Sequence, residues 1–397
     1  MSRAPTSLRF TQRLTVPFDF PVIFTRRLFA PGNPALADAL NRRQEGRRHR
    51  VLVCIDSGVR AALPGLERQV DRYFRAQADT LELAGPVEWV SGGERAKSDL
   101  ATAQRVIRWI HDRRLCRQSF VVVVGGGSVL DVVGFAASLV HRGLRVVRVP
   151  TTVAGQNDVG VGVKTGIDAF DSKNFLGTFA PPFAVLNDLD FLDALPAREW
   201  FAGISEAFKV AMIKDRAFFR FLCTNAGRLR NRDRAAMERL VIRCARLHMD
   251  HIRAGGDPFE TGSARPLDFG HWSAHCLEVL SRYRLRHGEA VSIGVALDSF
   301  YAMRQGLIAP RDLNALLAGL TACGLPIWHP TLGSRLPDGT LAVLRGLEDF
   351  REHLGGALTV TLPGPVGRRV EVNTMNSVII EEGIRFLHTA ARRLRRK

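Results

Sequence analysis

Five side chains in the second half of the chain could hold a divalent cation or move a proton. Glu206 and Lys209 lie three apart in an apolar-periodic run at 201–213, so one helix face would present both. Phe269-Gly270-His271 opens a second run with His275 one turn on, and His287-Gly288-Glu289 opens a third. A catalytic zinc takes three protein ligands, commonly histidine and carboxylate, and keeps one position open. Glu206, His271 and His287 would supply such a set, and His271 with His275 at i, i+4 could also chelate together. The run is not H-E-x-x-H, because Trp272 follows His271. A single helical histidine is more often structural than a ligand, so the case rests on the set.

The first half offers anion-binding chemistry. A β-branched run at 120–124 leads into Gly125-Gly126-Gly127-Ser128 and then a helical pattern containing Asp131. A strand, a glycine turn and a helix start bring free backbone N–H groups close to a phosphate. The turn is not G-x-G-x-x-G, and alone it is weak evidence. A second glycine turn, Gly92-Gly93-Glu94-Arg95-Ala96-Lys97-Ser98, opens another helix, and Asp56 ends a strand where an acidic residue could meet a ribose hydroxyl. Lysine adds a further signal. Only six occur, and Lys164, Lys173, Lys209 and Lys214 fall within 164–214. The glycine-rich stretch 149–180 carries two of them with Asn174, shows no helical pattern, and reads as a long ordered loop that holds phosphate.

These residues need elements to position them. Strands are expected at 21–25, 50–55, 120–124, 145–149 and 183–187, with helices at 33–41, 95–113 and 129–141 between them. Buried runs alternating with helices imply a parallel sheet covered on both faces. Beyond 194 the texture becomes amphipathic, with helices expected at 197–213, 234–253, 270–283, 287–305, 311–323 and 377–393. A small strand pair is expected at 358–362 and 369–372. The fold class is therefore α/β plus α: a Rossmann-like parallel-sheet domain at 1–194 and a mainly helical domain at 195–397, with the site between them.

The 397-residue composition is 46% hydrophobic and 24% charged, as in globular proteins, and holds no apolar run of membrane-spanning length. Met1 to Pro31 lacks the continuous apolar core of a secretory signal. The six cysteines form no C-x-x-C pair, which suits a reduced, cytoplasmic protein. The formal charge of +17 favours anionic ligands. The arginines are dispersed and not interleaved with aromatics, so no nucleic-acid or membrane partner is expected.

Taken in order, the motifs resemble those of 3-dehydroquinate synthase and the wider sugar phosphate cyclases. They are Gly93-Glu94 with Lys97-Ser98, Gly125-Gly126-Gly127 with Asp131 and Gly134-Phe135, Arg142-Gly143, Pro150-Thr151-Thr152, Asp158 with Lys164-Thr165-Gly166, Lys173-Asn174, Glu206 with Lys209, Phe269-Gly270-His271 with His275, and His287-Gly288-Glu289. The resemblance covers residues 50–305 well and the remainder loosely. It implies that Asp56, Glu94, Lys97, Gly126, Gly127, Ser128, Asp131, Thr151 and Thr152 line an NAD site, with Asp158, Lys164, Lys173, Phe191 and Glu199 contributing. It implies that Glu206, His271 and His287 hold zinc, with cobalt as a substitute. Asp158, Lys164, Lys173, Asn174, Lys209, Glu260 and His275 would face substrate. Arg142 would reach the phosphate in the neighbouring subunit, which implies a homodimer. The implied reaction is transient oxidation of a ring hydroxyl by NAD, β-elimination of phosphate, re-reduction, ring opening and an intramolecular aldol closure.

Several positions depart from the synthase pattern. Asp268 stands where the synthase has Asn, and His248-Met249-Asp250 occupies the region of a synthase Lys. No lysine lies between 214 and 397, and Arg265 is displaced from the synthase Arg position. Losing cations that hold a substrate carboxylate disfavours that substrate by several kcal/mol, on the order of lost charged hydrogen bonds. The expected substrate is therefore a heptulose 7-phosphate, although the retained His275 matches the synthase. The alternatives are a genuine 3-dehydroquinate synthase and a metal-dependent NAD polyol dehydrogenase, which would lack the lysine cradle. An arginine-rich nucleic-acid binder or a relic of a cyclase is a further, non-enzymatic alternative.

Overall fold

The β-branched run Phe120–Gly125 forms a strand buried along its whole length, and its side chains alternate between two separate cores. Val122 and Val124 pack on one face with Val51, Val53 and Leu186, while Val121 and Val123 pack on the other with Leu52 and Val133. Burial on both faces explains why the strand reads as a continuous apolar run. The computed structural model describes residues 9–98, 100–170, 172–255, 257–259, 266–353 and 358–394.

In chain order the strands are β1 (Val22–Thr25), β2 (His49–Asp56), β3 (Leu81–Leu83), β4 (Glu88–Val90), β5 (Phe120–Gly125), β6 (Arg145–Pro150), β7 (Lys164–Ala169), β8 (Ser172–Phe179), β9 (Ala184–Asp188), β10 (Val360–Pro363) and β11 (Arg369–Val372). Seven of them form a wholly parallel sheet in the order β1-β9-β6-β5-β2-β3, with β4 also on β2. The five expected strands are all present in it. β3 and β4, at three residues each, are too short to leave a periodic signal.

Residues 164–169 and 172–179, expected as part of a loop, instead form the antiparallel hairpin β7–β8. Gly166 and Gly177 face each other across it, and a Cβ on either would stand 2.9 Å from the opposite backbone. The hairpin also lies tightly on the Gly127–Leu139 helix, where a Cβ on Gly134 would come within 2.7 Å of Thr165. Glycines placed for close approach hid the strand alternation.

Beyond β9 the chain is mainly helical around one large core that includes Trp200, Phe208, Trp272 and Phe300. The run expected as one helix at 197–213 divides into Ala197–Ala202 and Ile204–Lys214 at Gly203. A Cβ there would sit 2.4 Å from the Ala154 backbone nitrogen, so the helix entering from the sheet side takes that space. The helices Arg234–Ala254, His271–Leu280, His287–Arg304, Pro310–Ala322 and Ser377–Leu394 match expectation within a few residues, as does the β10–β11 pair. Helices at Ser57–Ala62, Leu66–Ala76 and Arg216–Thr224 were not anticipated. Among the described residues, no helix is long and apolar enough to cross a membrane.

Candidate metal and nucleotide site

The carboxyl ends of β2, β5 and β6 gather the glycine turns. Asp56 ends β2, accepts a hydrogen bond from the Gly58 amide at 2.8 Å and caps the Ser57–Ala62 helix. Gly92 must be glycine beside it, because a Cβ would fall 2.2 Å from an Asp56 carboxylate oxygen. Burial raises the Asp56 carboxyl above its ordinary pKa, against hydrogen bonds from Gly58 and Gly126. β5 ends at Gly125, and Gly126 is extended before the Gly127–Leu139 helix begins, so that helix N-terminus opens at the sheet edge. Ser128 Oγ donates to Glu94 Oε1 at 3.2 Å. Thr151 follows β6, its amide donating to the Gly125 carbonyl at 2.9 Å, and Thr152 caps the Val153–Asn157 helix by accepting from the Gly155 amide at 3.0 Å. This clustering at one edge of a parallel sheet is the arrangement in which nucleotides bind.

Lys97 and Lys173 join this edge to the hairpin. Lys97 Nζ lies 2.7 Å from Asp131 Oδ2 and also donates to Asn174 Oδ1. Burial acts to lower the Lys97 pKa, but Asp131 and Glu94 outweigh it and hold the ammonium above its ordinary value. Lys173 Nζ lies 2.6 Å from Glu278 Oε1 and 3.8 Å from Glu94 Oε2.

Glu206, on the Ile204–Lys214 helix, is fully buried. Its Oε1 stands 3.4 Å from His287 Nε2 and 3.8 Å from His271 Nε2, and its Oε2 stands 2.5 Å from Lys209 Nζ. Burial alone would raise its pKa; Lys209 and His287 overcome that and hold the carboxyl well below the ordinary range. Lys209 is likewise held charged, since Glu206 and Asp158 outweigh the burial that opposes it. His271 Nδ1 lies 3.2 Å from the Phe269 carbonyl and must donate to it, which turns Nε2 toward Glu206. Burial and then Lys209 depress the His271 pKa well below the ordinary value, so the ring is neutral. His287 is pushed up to about 10: burial works against it, but the Glu278 and Glu206 carboxylates dominate.

The ligand atoms of Glu206, His271 and His287 all lie within 4.8 Å of one another. A second trio, His275, Glu278 and His287, shares His287 and meets the same distance. The Glu206 set is the better cation site, because Glu206 Oε1 is buried without a hydrogen bond and faces only the two imidazoles, while Oε2 pairs with Lys209. A buried carboxylate left so is costly unless something coordinates it. Glu278, by contrast, is committed to Lys173 and His287.

The other expected residues are placed variously. Asp158 follows the Val153–Asn157 helix, 2.8 Å from His248 Nε2. Lys164 starts β7, and Asn174 lies in β8 with its amide donating to Asp168 at 2.8 Å. His275 packs against the rings of His271 and His287. Phe191 is buried in the core under the sheet, and Glu199 pairs with Arg286 at 3.3 Å. Arg142 is exposed at the turn after the Gly127–Leu139 helix. Glu260 and Arg265 lie outside the described residues.

Three residues escaped sequence reasoning. Glu278 carried a signal, standing at i+7 from His271 and i+3 from His275 on the same helix face. His248 stood out only as lying in the region of a synthase Lys, because its partner Asp158 is distant in sequence, and Arg148 carried no signal, because its partners are backbone carbonyls. Arg148 is buried on β6, donating to the carbonyls of Gly160, Gly162 and Lys164 at 3.3, 2.7 and 3.2 Å.

Comparison with known proteins agrees with this geometry. Residues 88–202 match the family model for the 3-dehydroquinate synthase N-terminal region, and residues 203–343 match that for its C-terminal region. The chain is 33% identical to the 2-epi-5-epi-valiolone synthase of Streptomyces glaucescens over 365 residues, which is 91% of this chain and 89% of that protein. It is 36% identical to the 3-dehydroquinate synthase of Roseobacter denitrificans over 294 residues, 74% of this chain and 77% of that one. Among solved structures, it resembles the 2-epi-5-epi-valiolone synthase of Streptomyces hygroscopicus subsp. jinggangensis, solved with NAD+ and Zn2+ bound. The TM-score is 0.85 at 30% identity, covering 96% of this chain and 99% of that one. This chain belongs to the 3-dehydroquinate synthase family, and it is a sugar phosphate cyclase, a carbon–oxygen lyase.

Proposed function

We propose that this cyclase takes a heptulose 7-phosphate, such as sedoheptulose 7-phosphate, rather than the seven-carbon acid phosphate of the shikimate pathway. The observation that carries the reading is the charge balance around Lys209. This buried ammonium already faces Glu206 at 2.5 Å, and the carboxylates of Asp158 and Asp268 add to its field. Asp268 stands where the synthase pattern has Asn, so a substrate carboxylate arriving there would meet an added negative charge. The extent of the match, 91% of the chain for a 2-epi-5-epi-valiolone synthase against 74% for a 3-dehydroquinate synthase, supports the same choice.

Glu206, His271 and His287 would hold the metal, zinc by its donor set of two imidazoles and one carboxylate. When bound, it would polarise a substrate hydroxyl as a Lewis acid. The edge formed by Asp56, Glu94, Lys97, Gly126, Gly127, Ser128, Asp131, Thr151 and Thr152 would hold NAD, whose nicotinamide supplies reversible hydride transfer. Lys164, Lys173 and Asn174 stand on the β7–β8 hairpin, and their positive charge and amide would neutralise a departing phosphate. Lys209 would hold substrate oxygens from the opposite wall. His275, between the rings of His271 and His287, could pass a proton at the reacting carbon. Arg142, exposed on the first half, would serve the site of a second copy, making the enzyme a homodimer.

The test is phosphate release by the purified protein, supplied with NAD and Zn2+, from sedoheptulose 7-phosphate and from the acid phosphate in parallel. The proposal predicts release from the heptulose. Release from the acid alone would overturn the substrate reading and show that arginine replaces the missing lysines.

A further inference from the structure

Glu278 takes part in none of the roles assigned above, yet it is 1% exposed at the junction of all of them. It lies on the His271–Leu280 helix, and its two oxygens are used separately. Oε1 stands 2.6 Å from Lys173 Nζ on the hairpin, and Oε2 stands 3.1 Å from His287 Nδ1. An ionised carboxylate only accepts hydrogen bonds, so the His287 Nδ1 must carry a proton. With a metal bound, Nε2, 3.4 Å from Glu206 Oε1, is the ring atom that would give up its proton and face the Glu206 and His271 cluster.

We propose that Glu278 is a positioning residue that fixes which nitrogen of His287 faces the metal and ties that ligand to Lys173 of the phosphate-holding hairpin. The inference rests on the metal assignment given above. Carboxylates behind metal-binding histidines set the tautomer and ring orientation in this way, and their loss weakens metal binding. The two-sided contact makes this carboxylate hard to replace. A glutamine at 278 can turn its oxygen to His287 only by pointing its NH2 at the Lys173 ammonium, donor against donor. Turned the other way, its NH2 faces Nδ1, and the ring proton must move to Nε2, where it blocks the metal-facing lone pair.

The experiment is a Zn2+ titration of the purified chain against a competing chelator, compared across three variants. Glu278→Gln is expected to weaken Zn2+ binding by about 10- to 100-fold. Lys173→Met keeps the Glu278–His287 bond and is expected to bind Zn2+ as tightly as the native chain, although it disrupts the hairpin contact. Native affinity in Glu278→Gln overturns the proposal, and so does equal weakening in both variants, which would mean a general charge effect. Glu206→Ala separates the two readings. If it retains tight Zn2+ binding, the metal assignment itself fails; if it loses Zn2+ while Glu278→Gln does not, only the Glu278 inference fails. Should Glu278→Gln not fold, 15N spectra of the histidine rings in the Zn2+-loaded native chain decide the matter. A protonated Nδ1 and a metal-bound Nε2 at His287 are expected, and the reverse tautomer overturns the proposal.

Discussion

Lys97 and Asp131 meet at 2.7 Å with the lysine 7% exposed, so either partner removed leaves a poorly hydrated charge. Lys97→Met should cost about 2–3 kcal/mol in a denaturant titration and weaken NAD binding in parallel. A second residue gives a pH signature. Asp298 accepts hydrogen bonds from Trp272 Nε1 at 2.8 Å and the Gly270 amide at 2.9 Å, yet burial pushes its carboxyl up to about 7. The unfolded carboxyl titrates near pH ~4, so between about pH 4 and pH 7 the folded state keeps a proton that the unfolded state has released. This group's contribution to stability therefore falls as pH rises through that window, by on the order of 4 kcal/mol, and is level above it. The stability gap between the native chain and Asp298→Asn should narrow across the same range. A gap that stays constant with pH would contradict the assignment. At this scale the candidate metal set was legible from its residue types, because Glu206, His271 and His287 each begin or lie early in a periodic helix, and the structure brings their ligand atoms within 4.8 Å of one another. Glu278 and His248 were not, since what gives them meaning is a partner on another element, Lys173 for one and Asp158 for the other.

The helices that carry the proposed metal ligands depend on glycines for close approach. Gly270 adopts a left-handed φ of 79° ahead of His271, and a Cβ on Gly294 would fall 2.0 Å from its carbonyl oxygen. A Cβ on Gly288, next to His287, would lie 1.9 Å from the Ala202 carbonyl. Gly288→Ala or Gly294→Ala should destabilise the chain by about 2–4 kcal/mol through forced separation of packed backbones. Both should also lower Zn2+ occupancy, because each displaces a ligand-bearing helix. Arg148 works similarly on the sheet side, gathering the carbonyls of the loop that leads into β7. Arg148→Met should strand those carbonyls and cost about 2–3 kcal/mol. Its kinetic effect should fall on substrate binding if Asp158 and Lys164, which flank that loop, take the substrate-facing roles proposed for them. Elements of ordinary length with apolar periodicity were legible, as the five main strands show. The β7–β8 hairpin was not, because Gly166 and Gly177 serve the close approach of its own two strands and leave no apolar alternation to detect.

For the whole molecule, the layout of a parallel sheet followed by helices was readable because burial on both sheet faces and on one helix stripe impose different periods. That layout is shared with dehydrogenases: a glycerol dehydrogenase from Schizosaccharomyces pombe has a TM-score of 0.64 at 15% identity, which speaks to fold alone. What separates a cyclase from such an enzyme is the fate of the hydride and the phosphate. The most direct measurement is therefore the stoichiometry of phosphate released against NADH formed, followed together with the sugar phosphate, Zn2+ and a small amount of NAD. The account predicts many phosphates released per NAD with no net rise in the NADH absorption band, and no release from Glu206→Ala. NADH accumulating in step with substrate consumed, without phosphate release, would contradict it.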